Sequence, residues 1–191
     1  MLLLSGIMSK YKIDERGSWQ FQGGHQCDMK LAEAIGDMLK NHHSIIDIGC
    51  GDGAYSKFLN DYGYYCVGFD GNPETELVTG NLCRTVDFSK PQRLGIYDVV
   101  LSLEVGEHIP EAFEDIFLDN VANHANDMVI MSWAVPGQGG KGHINERSNE
   151  WVIDEMEKRG CTYDAGSTNY LRAHTSNCYW FKDTLMVFLR E

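Results

Sequence analysis

A doubly wound α/β sheet with helices on both faces is the fold this 191-residue sequence predicts, and three observations predict it. Short apolar runs of strand length alternate with segments of helical spacing, a glycine cluster joins the first run to the helix after it, and the chain finishes on a pair of strand candidates.

The elements follow in order. Met29, Leu31, Ala32, Ile35, Met38 and Leu39 fall close to helical spacing and predict an amphipathic helix over 27–39. The apolar run 45–48, the glycines of 49–53 and a helix over 54–62 then read as strand, loop and helix. A second apolar run, 64–69, ends at Asp70, and Gly71-Asn72-Pro73 breaks the chain, which completes a β-α-β unit. Strand candidates at 82–88, 97–103 and 127–133 continue the alternation, with a helix over 110–123 between the last two. A glycine-rich loop, 136–142, precedes a helix over 149–159 ended by Gly160, and the closing strand candidates lie at 161–163 and 179–189. The segment 171–177 reads as a loop. Met1 to Ser9 has no period and reads as a leader, or equally as the remnant of a longer polypeptide, so the organisation expected is one domain: leader or linker 1–17, N-terminal lid and helix 18–42, core 43–191.

Composition narrows the classes. With 43% hydrophobic and 23% charged residues the chain has material for a core. Its 28 acidic residues against 16 Lys and Arg give a net charge of -12, and no basic cluster is present to displace counterions from a polynucleotide, so nucleic acid is not the expected partner. The first apolar run stops at Leu4, too short for a signal peptide or a membrane span. Six cysteines are scattered with no C-x-x-C pair, which is neither a zinc nor a disulfide framework and points to a reducing, cytoplasmic setting.

In a doubly wound sheet ligands bind at the C-terminal ends of the strands. Asp47-Ile48-Gly49-Cys50-Gly51-Asp52-Gly53 stands at that end of the first strand, where glycine lets backbone approach a ligand and the next helix offers free N–H groups. Asp70, 23 residues beyond Asp47, is placed to accept hydrogen bonds from two ribose hydroxyls. A purely structural turn would use the same glycines, and a dinucleotide site has a similar fingerprint, but the spacing here is G-x-G-x-G and not G-x-G-x-x-G. The combination resembles the first motif of class I S-adenosylmethionine-dependent methyltransferases, over most of the chain. That resemblance implies a Rossmann-like, mostly parallel seven-stranded sheet with a C-terminal antiparallel strand, and S-adenosylmethionine as cofactor. It further implies cofactor contacts from Asp47, Gly49, Cys50, Gly51 and Gly53 in the loop, from Asp70, Gly71 and Asn72 at the second strand, from Asp87 and Phe88 beside the adenine, and from Leu103 and Glu104 after the fourth strand.

After that strand the chain reads Ser102-Leu103-Glu104-Val105-Gly106-Glu107-His108-Ile109-Pro110. If a helical turn begins here, Glu104, Glu107 and His108 share one face, and His143 from the loop after the fifth strand closes a set of oxygen and imidazole donors suited to Mg2+ or Mn2+. E-x-x-E-H is similar to the metal motif of small-RNA 2'-O-methyltransferases and ubiquinone-pathway O-methyltransferases. The Glu-His pair also occurs in class I methyltransferases that bind no metal, where it packs and caps a helix. Without an ion, His108 or His143 is the candidate base, with His174 a third. Trp19, Phe21, Gln22, His25, Trp133, Tyr170 and Arg172 are candidate acceptor-pocket residues, and Gly23-Gly24 a hinge for the N-terminal lid.

The reading reached is an O-methyltransferase acting on a hydroxyl of a small or carbohydrate acceptor. RNA is disfavoured by charge, and a lipid quinone by the lack of a membrane-facing segment. More loosely, the stretch from Glu104 to the Gly-Gln-Gly-Gly-Lys-Gly-His-Ile-Asn-Glu run looks like methyltransferase domains that modify rhamnose-type residues of glycans. A metal-independent methyltransferase, a non-catalytic cofactor-binding module and a nucleotide-linked oxidoreductase are the alternatives.

Overall fold

A computed structural model describes residues 12–20 and 25–190. Its centre is a seven-stranded sheet made of β3 (Ser44–Ile48), β4 (Tyr65–Asp70), β5 (Cys83–Thr85), β6 (Tyr97–Ser102), β7 (Ala125–Ser132), β8 (Cys161–Tyr163) and β9 (Leu185–Arg190), in the order β5-β4-β3-β6-β7-β9-β8. All pairings are parallel except those of β9, which runs antiparallel to β7 and to β8. The sheet expected from the sequence is therefore present, strand for strand.

Burial on both faces explains the apolar runs. Side chains alternate across each strand, so Ile45, Val99, Leu101, Met128, Ile130 and Val187 join one core, while Ile46, Val100, Val129, Met131 and Phe188 join the other. The first core is covered by α1 (Met29–Met38), α2 (Ala54–Tyr62) and α6 (Ala165–Ala173), through Leu31, Ile35, Leu59 and Leu171. The second is covered by α4 (Glu114–Asn123) and α5 (Asn149–Glu157), through Phe117, Leu118, Val121, Val152 and Met156. Asp28 caps α1 by accepting the Leu31 N–H, and also accepts from Ser176 and Cys178, which ties the C-terminal segment to the first helix. Asp98 takes the N–H groups of His43 and Ser44 and sets β6 beside β3.

Four segments differ from expectation. Residues 165–173, not foreseen as helical, form α6, whose N-cap Asp164 accepts from Gly166 and Ser167. The candidate strand 179–189 begins as the short helix α7 (Phe181–Thr184) and becomes β9 only at Leu185. The candidate 82–88 is strand only over β5, because Asp87 turns the chain by accepting from Ser89. Across the boundary between the expected leader or linker and the expected lid, β1 (Lys12–Ile13) pairs with β2 (Trp19–Gln20) around a turn in which Asp14 accepts from Arg16 and Ser18. Among the described residues no helix is long and apolar enough to cross a membrane, and the six cysteines are free thiols.

Candidate active site

The C-terminal ends of β3, β4 and β6 open on a cleft of about 410 Å³, within the range of small-molecule sites. The loop after β3 is anchored where Gly49 and Cys50 donate to the Phe69 carbonyl at 2.7 and 3.0 Å. Gly49 and Gly51 have φ of 80° and 56°, and a Cβ on Gly49 would lie 2.3 Å from Val105. Both positions therefore demand glycine. Gly51 donates to one oxygen of Asp70 (2.9 Å) and Asn72 to the other (2.8 Å). Burial still pushes the Asp70 carboxyl above its ordinary value, so this group gains from further hydrogen-bond donors in the cleft.

Beneath the loop, Asp47 is buried and accepts the Ser56 hydroxyl at 2.6 Å, and burial pushes its carboxyl up to about 7. Its edge reaches the cleft, as do Cys50 and Gly71. Gly53 and Asn72 do not line it. Gly53 faces Cys83 and Thr79 at the start of α2, and Asn72 builds the following turn by accepting from Glu74. At the other end of the cleft stand Asp87 and Phe88. Burial would raise the Asp87 carboxyl, but hydrogen bonds from Ser89, Lys90 and Arg16 hold it at about 2.

The opposite wall comes from the chain leaving β6 and β7. Leu103 and Glu104 line the cleft, and Glu104 sits at φ 57°, so the chain does not enter a regular helix here; a single 3-10 turn forms at Gly106–His108. Glu104 accepts from Ser132 (2.8 Å), and burial raises its carboxyl to about 7. Glu107 is fully buried, and among the described residues neither carboxylate oxygen has a hydrogen-bond partner. Burial first, and the Glu104 charge second, push it well above the usual range. His108 Nδ1 lies 3.0 Å from the Gly142 carbonyl, which only accepts, so Nδ1 carries the proton and Nε2 the lone pair. Burial pushes this imidazole down to about 4. His143 packs edge-on against His108 with ring centres 5.1 Å apart, and its Nε2 is 3.9 Å from Glu107 Oε1.

Glu107, His108 and His143 thus each bring a ligand atom within 4.8 Å of the others. Glu104, expected in the same donor set, is outside this trio: its left-handed backbone removes the i, i+3, i+4 alignment, and its carboxylate is held by Ser132. His174 is also removed from the site. It ends α6, bonded to the Tyr170 carbonyl and set at a tilt against the Tyr170 ring, and Arg172 near it binds the carbonyls of Asp183 and Leu185. Trp133 is core: fully buried, it donates to the Asn145 carbonyl and packs under Gly106.

The N-terminal segment lines the cleft: Trp19 and His25 of the expected lid do so, joined by Ser18 and by Arg16 and Gly17 of the segment expected as leader or linker, none of the three singled out in the sequence. Arg16 reaches Asp87 at 3.1 Å, Ser18 abuts Gly71, Gly17 lies against the His108 carbonyl, and Trp19 meets the His108 ring edge at 5.3 Å. His25 covers Gly51. Phe21, Gln22 and the hinge at Gly23-Gly24 lie outside the described residues. A second cavity of about 340 Å³ adjoins the cleft, lined by Gln26, Glu104, Gln138, Lys141, His143 and the rings of Tyr179 and Trp180.

A family model described as a methyltransferase domain matches residues 21–168. A probable chloroplastic tocopherol O-methyltransferase of Oryza sativa subsp. japonica is 32% identical over 120 residues, 55% of this chain and 33% of that protein. The chain thus spans about a third of the length of the curated relatives it matches. Among solved structures, a TehB-like S-adenosylmethionine-dependent methyltransferase from Corynebacterium glutamicum superposes with a TM-score of 0.64 at 18% identity, covering 85% of this chain and 88% of that one. The sugar N-methyltransferase KedS8 from Streptoalloteichus sp. gives 0.69 at 13% identity, with 87% and 89% covered. These last two likenesses are of fold.

Proposed function

This chain belongs to the methyltransferase domain family, and from that premise we propose that it uses S-adenosylmethionine to methylate a hydroxyl oxygen of a small or carbohydrate acceptor, a rhamnose-type sugar being the favoured class, assisted by a divalent ion. The observation that carries the cofactor is the glycine loop set against Asp70. Loop backbone without Cβ atoms faces a carboxylate whose two oxygens already hold Gly51 and Asn72 and whose remaining lone pairs suit two ribose hydroxyls. Asp87 and Phe88 stand where the base would lie, with Gly49 and Gly51 along the methionine portion. When bound, the sulfonium supplies an activated methyl group that leaves by in-line displacement, so alignment of the acceptor oxygen provides much of the rate.

Support for oxygen as the methyl acceptor comes from the Oryza sativa relative, which is named a probable tocopherol O-methyltransferase. Support for a sugar comes from the second cavity, whose amides and carboxylate suit hydroxyl groups and whose Tyr179 and Trp180 rings suit the apolar face of a pyranose. The relatives favour a phenol as the second reading. For a divalent ion, the residues fit: Glu107 has two buried oxygens without partners, and His108 presents an Nε2 lone pair beside His143. Bound there, an ion would lower the pKa of the acceptor hydroxyl. His143 Nε2 is otherwise the group that receives the acceptor proton.

Calorimetric titration with S-adenosylhomocysteine and with NAD tests the cofactor, and binding of NAD alone refutes it. A mass-spectrometric screen of simple glycosides, with phenols and RNA alongside, tests the acceptor. A methyl-sized gain on phenols only would move the assignment to the second reading.

A further inference from the structure

The loop between β7 and α5 has no regular structure, yet one side chain gathers it. Glu146 Oε2 accepts the Gly137 N–H and Oε1 the Gly139 N–H, each at 2.7 Å. The same Oε1 lies 3.3 Å from His143 Nδ1. Left-handed backbone at Gly137 and Gly139, φ 87° and 66°, lets amides two residues apart converge on one carboxylate, as in an anion nest. The imidazole of His143 occupies the space that a Cβ on Gly140 would fill, so its ring plane is fixed as well as its edge. Both Glu146 oxygens accept backbone N–H groups, so what Oε1 turns toward His143 Nδ1 is a further lone pair.

Free in water, the neutral imidazole of histidine favours the Nε2–H form, which would turn a proton and not a lone pair toward Glu107. A carboxylate on Nδ1 reverses that preference, the device that orients histidine in triads and in metal sites alike. We propose that Glu146 is the positioning residue of this site: it fixes His143 as the Nδ1–H tautomer with the Nε2 lone pair toward Glu107, and in the same contact holds loop 137–142 as a wall of the second cavity. This rests on the reading of His143 as proton acceptor or ligand.

The test is a long-range proton–nitrogen correlation spectrum of the uniformly nitrogen-15-labelled full chain at pH 8, with His143→Asn for assignment. Expected is a pyrrole-like Nδ1 and a pyridine-like Nε2 for His143 in the wild type. In Glu146→Ala the assignment should invert, with the amide signals of Gly137 and Gly139 displaced, while Glu146→Gln, which retains an accepting oxygen, is intermediate. S-adenosylhomocysteine affinity should stay within about twofold, since the bonds of Glu146 go to Gly137, Gly139 and His143 and not to loop 49–53 or Asp70. A wild-type Nε2–H tautomer overturns the proposal even if no variant folds, and so does a Glu146→Ala spectrum that leaves His143 and both glycines unmoved. Failure of the wild type to bind S-adenosylhomocysteine would instead remove the methyltransferase reading and leave the tautomer result standing.

Discussion

Replacing Asp70 by Asn is the most direct test of the cofactor cleft. Each Asp70 oxygen accepts one backbone N–H, from Gly51 at 2.9 Å and from Asn72 at 2.8 Å, so its remaining lone pairs are what a ribose would meet. Asparagine keeps the shape, loses the charge, and turns an NH2 toward one of those donors. Hydrogen bonds to a charged group are worth ~1.5–3 kcal/mol each, so two come to ~3–6 kcal/mol, and the accepting oxygen that asparagine keeps brings the loss to the lower end, about 3–4 kcal/mol. That is on the order of 100- to 1,000-fold in Kd for S-adenosylhomocysteine, measured by calorimetry on protein whose folding is checked by circular dichroism. The sign of the pH dependence is also fixed. Burial raises the Asp70 carboxyl in the free protein, and ribose donors favour the ionised form, so binding releases a proton. Wild-type affinity should rise with pH through the free-state value and then level, whereas Asp70→Asn should show no such rise. A folded Asp70→Asn protein binding within threefold of wild type would refute the assignment of Asp70 to the ribose.

Burial holds Asp47 at about 7 in the fold, above its unfolded value, so its contribution to stability is fully present below about pH 4 and lost as pH rises through about 7. Asp47→Asn should therefore gain ~2–4 kcal/mol over wild type between pH 5 and pH 8 in urea unfolding, and an equal difference at both pH values would show Asp47 ionised at little cost. The Arg16–Asp87 pair is partly exposed and worth at most ~1 kcal/mol, so Arg16→Ala should speed S-adenosylhomocysteine dissociation about two- to fivefold in stopped flow. High salt should do the same to wild type, and unchanged dissociation in both would show that the hairpin does not gate the cleft. For the ion, activity on the acceptor found in the glycoside screen should fall in EDTA and return with Mn2+, and Mn2+ should raise the Tm of wild type but not of Glu107→Ala. Full activity in chelator would defeat the ion and leave the methyltransferase reading intact.

The sheet was legible because its strands are buried on both faces and carry the apolar runs that such burial requires: all seven were located, with β5 and β9 shorter than the runs suggested. The helix α6 was not, since Ala165-Gly166-Ser167-Thr168-Asn169 are mostly poor helix formers, and only Thr168 and Leu171 are buried. Its one readable mark was Asp164 as N-cap. In the site, the glycine loop and Asp70 could be placed because their chemistry depends on adjacent elements of one β-α-β unit. Glu107, His108 and His143 were all named as candidate donors, but Glu104 was grouped with them on a helical turn the chain does not make, and the loop that carries His143 to the others takes its shape from Glu146, which no motif singled out. The hairpin at Arg16 to Trp19 left no periodic trace because its contacts are with loops, and loops impose no period.

Charge on the far wall decides where the acceptor's proton can go. Glu107 is fully buried and Glu104 half-buried, and Glu107 is raised partly by the charge of Glu104, so the two do not both ionise near neutral pH with nothing to compensate them. On the proposed reading Glu107 then keeps a proton, and His108, pushed down to about 4, is neutral but a weak base. In that reading the Nε2 lone pair of His143 takes the acceptor's proton, with Glu146 on Nδ1 to stabilise the imidazolium, the division of labour of a histidine–carboxylate pair. A divalent cation held by Glu107, His108 and His143 would change two of these assignments: Glu107 would be held as an anion, and the His143 lone pair would be a ligand and no longer a base, the ion supplying a lowered pKa for the acceptor hydroxyl. The two mechanisms therefore compete for the same lone pair, and the response to chelator separates them: a histidine base works in EDTA, and a site that needs the cation to hold Glu107 as an anion does not.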